Sequence, residues 1–87
     1  MNYNDYVIRG GEYVRAKEYD LAINDYTEAI KLDPKNAKAH NRRGLAYMAK
    51  GEQELANADI AEALRLTKLK QRFPIAEEAK THNKGHT

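Results

Sequence analysis

Apolar and small residues recur along this chain at intervals of three and four, the period of helices that each bury one face. Tyr6, Ile8, Gly10, Tyr13 and Val14 mark a first such helix, and Leu21, Ala22, Tyr26, Ala29 and Ile30 mark a second. Ala16, Lys17 and Glu18 form the turn between them. Asp33 and Pro34 end the second helix, because proline disfavours helical geometry in the residue before it. Asn36 follows as an N-cap for a third helix. That helix closes at Lys50, Gly51 and Glu52, where Gly51 supplies a left-handed cap conformation.

The pattern repeats with a period of 34 residues. Shifting residues 3–36 onto 37–70 gives identities at Arg9/Arg43, Gly10/Gly44, Tyr13/Tyr47, Glu18/Glu52, Leu21/Leu55, Ala22/Ala56, Asp25/Asp59, Glu28/Glu62, Ala29/Ala63 and Leu32/Leu66. The shared glycine, tyrosine and alanines are residues that set how closely helices approach. A fixed period of this length signals a stack of helical hairpins. Unit one is 3–36 and unit two is 37–70, with Gly10 and Gly44 expected to face Ala22, Ala29, Ala56 and Ala63 across the paired helices. Unit two lacks the stop of unit one, since Thr67 and Lys68 stand where unit one has Asp33 and Pro34. The fourth helix is therefore expected to run on through Leu69 toward Arg72. Pro74 suits a first helical turn, so 71–80 reads as a capping helix with Phe73, Ile75, Ala76 and Ala79 over the last repeat. Residues 81–87 read as a flexible tail.

Composition narrows the function. The 87 residues are 41% apolar and 32% charged, a globular balance for one small domain. Cysteine is absent, and so is serine, which removes disulfides, thiolate zinc sites and the two commonest nucleophiles. No catalytic grouping and no cofactor site emerges, and the expectation is a non-enzyme. No apolar run approaches the roughly 18–20 residues of a membrane span, and residues 1–5 lack signal-peptide blocks. A cytoplasmic protein without membrane contact is expected. The net charge of +2 hides a split. Residues 1–36 carry five cations against seven anions, and residues 37–87 carry ten against six.

The spaced positions resemble the tetratricopeptide repeat family, whose 34-residue pattern runs large residue, Leu-like residue, Gly, Tyr, Ala, aromatic, Ala and closing Pro. Unit one matches it at Tyr6, Gly10, Tyr13, Ala22, Tyr26, Ala29 and Pro34, and unit two at His40, Gly44, Tyr47, Ala56, Ile60 and Ala63. The departures are Arg9 and Arg43 at the Leu-like position, Lys68 for the proline and Ile60 for an aromatic. The resemblance implies an all-α, right-handed helix-pair solenoid of two hairpins plus the C-terminal capping helix. It also implies a protein-interaction module whose first helices line a concave face. On that face it places Asn4, Val7, Ile8 and Gly11 from unit one, and Lys38, Asn41, Arg42, Leu45 and Met48 from unit two. The strip reads either as a groove for a peptide or partner protein carrying an acidic segment, or as a solvated helix face whose cations maintain solubility.

One subtype of the family holds the acidic C-termini of heat-shock chaperones in a two-carboxylate clamp. Lys38 and Arg42 have one of its spacings, but Val7, Ile8 and Gly11 stand where polar partners are needed, and two repeats do not complete it. Arg65, Lys68, Lys70 and Arg72 form a basic cluster without interleaved aromatics, so helix-end cations are favoured over a nucleic-acid site. His82 and His86 are spaced as metal ligands on a helix, yet Gly85 and a polar tail oppose that reading, and no metal is expected. His40 is expected to pack. Tyr6, Tyr13, Tyr26 and Tyr47 fall on core positions, whereas Tyr3 and Tyr19 are open to partner contact or helix-end packing. Two repeats are near the minimum for a stable stack, so a homo-oligomer built by stacking or exchange of terminal helices is the alternative to a peptide receptor.

Overall fold

A computed structural model describes residues 1–69 in full and gives the backbone assignment as far as residue 86. It is an all-α repeat of four helices in chain order: α1 (Tyr3–Arg15), α2 (Tyr19–Leu32), α3 (Ala37–Lys50) and α4 (Gln53–His86). No strand occurs among the described residues. Helices α1 and α2 form the first hairpin, α3 and the start of α4 form the second, and α2 packs against α3 to join them. The fourth helix passes Thr67 and Lys68 without a break, as the lost proline foretells. The capping segment 71–80 and the tail 81–87 lie outside the fully described residues.

Local chemistry accounts for the ends of these helices. Asn2 and Asp5 form a reciprocal capping box at the start of α1, with Asp5 N–H donating to Asn2 Oδ1 at 2.9 Å and Asn2 N–H to Asp5 Oδ2 at 3.2 Å. Asn36 caps α3 by accepting the Lys38 N–H at 3.0 Å. The two intra-hairpin turns are built alike. Glu18 N–H donates to the Tyr13 carbonyl at 2.8 Å, and Glu52 N–H to the Tyr47 carbonyl at 2.9 Å. Both turns need one left-handed residue. Gly51 supplies it at φ 91°, and at the same repeat position Lys17 is forced to φ 63°.

The core is built mostly from alanine. Ala22, Ala29, Ala39, Ala46, Ala56 and Ala63 are buried together with Val7, Tyr26 and Leu66. Such small side chains bring helix backbones close, and large ones then fill the remaining gaps. The glycines answer to large neighbours rather than to alanine side chains. A Cβ on Gly10 would stand 2.6 Å from Cε1 of Tyr26, and one on Gly44 would stand 2.9 Å from Cγ1 of Ile60 and 3.1 Å from the Ala56 carbonyl oxygen. Of the alanines expected to oppose them, Ala56 meets Gly44 through its carbonyl oxygen, beside the Ile60 side chain, while the atoms nearest Gly10 belong to the Tyr26 ring.

Candidate functional site

The nine residues of the expected binding strip divide by exposure. Asn4, Ile8, Lys38, Asn41, Arg42, Leu45 and Met48 are exposed, Gly11 is half-buried, and Val7 is buried. Val7 is therefore a correction as a surface contact, because it belongs to the core cluster with Tyr26, Ala39 and Ala46. Three large apolar side chains on α1 and α3 stay in solvent: Ile8 at 62%, Leu45 at 51% and Met48 at 42%. Among the described residues neither Lys38 nor Arg42 takes part in an ion pair. Arg42 lies close enough to the buried Tyr26 phenol to offset part of the rise that desolvation imposes on its pKa. Lys38 and Asn41 also line an open groove of about 360 Å³ with Ala37, Ile60, Ala63, Leu64 and Thr67.

Behind this surface stand two ion pairs that sequence reasoning missed. Arg9 donates from Nε and Nη2 to the Asp25 carboxylate at 2.8 and 2.7 Å. Arg43 repeats the fork on Asp59 at 2.7 and 2.8 Å. The arginines at the Leu-like position are thus bidentate partners of an aspartate on the second helix of the same hairpin. Each guanidinium also lies over tyrosine: Arg9 over Tyr6 and Tyr13 at 5.9 Å, and Arg43 over Tyr47 at 5.8 Å. The aspartate raises both arginine pKa values, so neither sheds its charge. The signal was present, since Arg9, Asp25 and their counterparts are all repeat identities. Their spacing of sixteen residues crosses two helices, and helical periodicity does not pair such positions.

Among the described residues three polar contacts tie the hairpins. Tyr3 Oη accepts the Ala39 N–H at 3.1 Å, Arg43 Nη1 donates to Thr27 Oγ1 at 3.0 Å, and Lys50 Nζ pairs with Asp20 at 2.8 Å. Tyr3 is consequently a structural residue between hairpins, and its desolvation raises the phenol pKa. His40 packs as expected. Its Nε2 lies 3.1 Å from the Pro34 carbonyl, which only accepts, so that nitrogen carries the proton, while Nδ1 is buried with no hydrogen-bond partner.

The described residues cover the other candidate clusters only in part. Arg65 is held by Glu62 through Nε at 2.9 Å, which takes one cation from the basic cluster. Lys68 is exposed, and Lys70 and Arg72 lie outside the fully described residues, as do His82 and His86. Among the described residues no group of three or more His, Cys, Asp or Glu side chains is placed to hold a metal. No described helix is long and apolar enough to cross a membrane.

Comparison with known proteins agrees with the repeat geometry. A family model described as TPR repeat matches residues 10–51, and one described as Tetratricopeptide repeat matches 37–68. The chain is 37% identical over 60 residues to human serine/threonine-protein phosphatase 5, a match covering 69% of this chain and 12% of that protein. It is 37% identical over 62 residues to small glutamine-rich tetratricopeptide repeat-containing protein 2 of Saccharomyces cerevisiae, covering 71% of this chain and 18% of the relative. It is 33% identical over 61 residues to heat shock protein STI1 of the same yeast, covering 70% and 10%. The chain thus spans less than a fifth of the length of these curated relatives. With its 34-residue period, its paired helices and both models agreeing, the chain belongs to the tetratricopeptide repeat family.

Proposed function

We propose that the chain is a non-catalytic protein-interaction module that holds a peptide or partner protein against the exposed faces of α1 and α3. Helical repeats of this family present extended concave surfaces for partners, and the matched segment of each relative is the repeat region rather than a whole protein. The observation that carries the reading is the exposure of Ile8 on α1 and of Leu45 and Met48 on α3, the helix that also exposes Lys38 and Arg42. Apolar side chains left in water next to cations without ion-pair partners suit an acidic segment with apolar side chains of its own. The chaperone-tail clamp is not favoured, because Ile8 and Gly11 stand where it needs polar side chains and Val7 is in the core.

The test is charge reversal. Peptides selected from a random displayed library on the immobilised chain should be rich in Asp and Glu. The Lys38→Glu/Arg42→Glu variant should bind them at least tenfold more weakly while its circular dichroism stays unchanged. Equal binding by both proteins would remove the charged-groove reading.

Self-association by end-to-end stacking is the poorer alternative. At the interface between the hairpins α3 presents Ala39 and Ala46, exposed by 0% and 1%. Thirty-four residues earlier α1 carries Asp5 and Glu12. Stacking α1 of a second copy in the manner of α3 would force both carboxylates out of water, at a cost of several kcal/mol per unpaired charge.

A further inference from the structure

The surface on which unit one seats α3 has a counterpart in unit two that differs at the positions that matter. In unit one the seat is built from Tyr3, Val7, Tyr26 and Ile30, all in or against the buried cluster that includes Ala39 and Ala46. Shifted by 34 residues, these become Ala37, Asn41, Ile60 and Leu64. Tyrosine gives way to alanine in one place and to isoleucine in the other. The missing bulk corresponds to the open groove of about 360 Å³ that the four residues line. The polar anchors of the seat are lost as well. Tyr3, which accepts the Ala39 N–H, becomes Ala37, and Thr27, which accepts from Arg43, becomes Ala61. This second seat is therefore a poor match to another helix like α3.

We propose that the groove receives one aromatic side chain of the partner, with a neighbouring carboxylate of the same partner held at the rim by Lys38 and Asn41. The inference rests on the reading of α1 and α3 as a receptor face and extends it past Lys38 onto α4. The apolar wall comes from Ala37, Ile60 and Leu64, the last exposed by 59%. At the rim Thr67 already donates to the Ala63 carbonyl at 2.8 Å, which leaves the Lys38 ammonium and the Asn41 amide to meet the ligand. The Lys38 ammonium can only donate, the Asn41 amide can donate through its NH2, and among the described residues no carboxylate lines the groove. Charge complementarity therefore selects an anion at the rim and an uncharged ring beneath it. A second copy of this chain fits less well, because Asp5 and Glu12 of its α1 would fall on the buried line rather than at the rim.

The experiment uses peptides of sixteen residues selected from a random displayed library on the full chain, then titrated by fluorescence anisotropy. The selected sequences should share an aromatic residue with Asp or Glu within one helical turn of it. The Ala37→Tyr/Ile60→Tyr variant restores at both positions the residues that unit one carries, position 60 facing Gly44 as Tyr26 faces Gly10, and should bind at least tenfold more weakly with an unchanged thermal midpoint. Should that variant fail to fold, Leu64→Glu alters an exposed wall residue and should produce the same loss. Binding that is weakened by Arg42→Glu but unaffected by the groove variants would overturn this proposal and leave the receptor reading intact. Recovery of no binding peptide would overturn both. A concentration-dependent dimer abolished by the groove variants would make the occupant a second copy and overturn the assignment of the partner.

Discussion

Lys17 and Gly51 occupy the same place in successive repeats, yet only glycine enters the left-handed region without a steric penalty. For other residues the cost is about 1–2 kcal/mol, offset in part by the greater backbone freedom that glycine loses on folding. Lys17→Gly is therefore expected to stabilise the chain by about 0.5–1 kcal/mol, read as a higher urea midpoint at constant slope. A lower midpoint would mean that the lysine conformation is not the one governing the turn. The two arginines offer a second comparison. The Arg43 side chain is 21% exposed and that of Arg9 46%, and only Arg43 adds a bond to Thr27. Arg43→Met strands a carboxylate that is 8% exposed, at a cost on the order of 3 kcal/mol. Arg9→Met strands Asp25, which at 6% is no more exposed, so it should cost less only by the missing Thr27 bond, about 1 kcal/mol, and equal losses in parallel denaturant titrations would refute that ordering.

Between elements, the junction of α1 with α3 depends on a hydroxyl. The Ala39 N–H is one of the orphan donors at a helix start. In α1 the corresponding donor is met by Asn2 within the capping box, whereas in α3 it is met by Tyr3 from the preceding hairpin. Tyr3→Phe keeps the ring but removes the acceptor, and should lower stability by about 1 kcal/mol, measured by thermal or urea unfolding. An unchanged midpoint would show that water replaces the phenol without loss. Much at this scale was legible beforehand. The cap at Asn36, the left-handed Gly51, the stop at Pro34 and the uninterrupted passage of α4 through Thr67 follow from local rules, which act within a few residues. The Tyr3 bond, the burial of Val7 and the Arg–Asp forks depend on the angle at which helices cross. Periodicity gives which face of a helix is buried but not the neighbour it meets, so those pairings did not follow from it, even where the repeat identities marked the residues.

For the whole molecule, the asymmetry of its two ends matters more than its net charge. The front presents Asp5 and Glu12 along the line that a stacking helix must bury, and the described part of the back presents an open groove without the polar anchors of the internal junction. Sedimentation equilibrium over a hundredfold range of concentration is expected to return a monomer. A mass that rises with concentration would show the ends to be adhesive despite those carboxylates. The surface position of the expected strip was legible, with eight of its nine members exposed or half-buried. The groove was not, since it comes from the volume missing at Ala37 and Ile60, and sequence alignment counts identities rather than empty space.

The alanine core has a thermodynamic consequence. Among the described residues six of the nine buried apolar side chains are alanines, and each alanine contributes little apolar area to be hydrated on unfolding. The heat-capacity increment should then fall below the usual value of about 12–15 cal/mol/K per residue. A smaller increment flattens the stability curve, so the fold loses and gains free energy slowly as temperature changes. Its resistance to cold and its gradual response to warmth would share one origin, the closeness of helix backbones that only the smallest side chains allow.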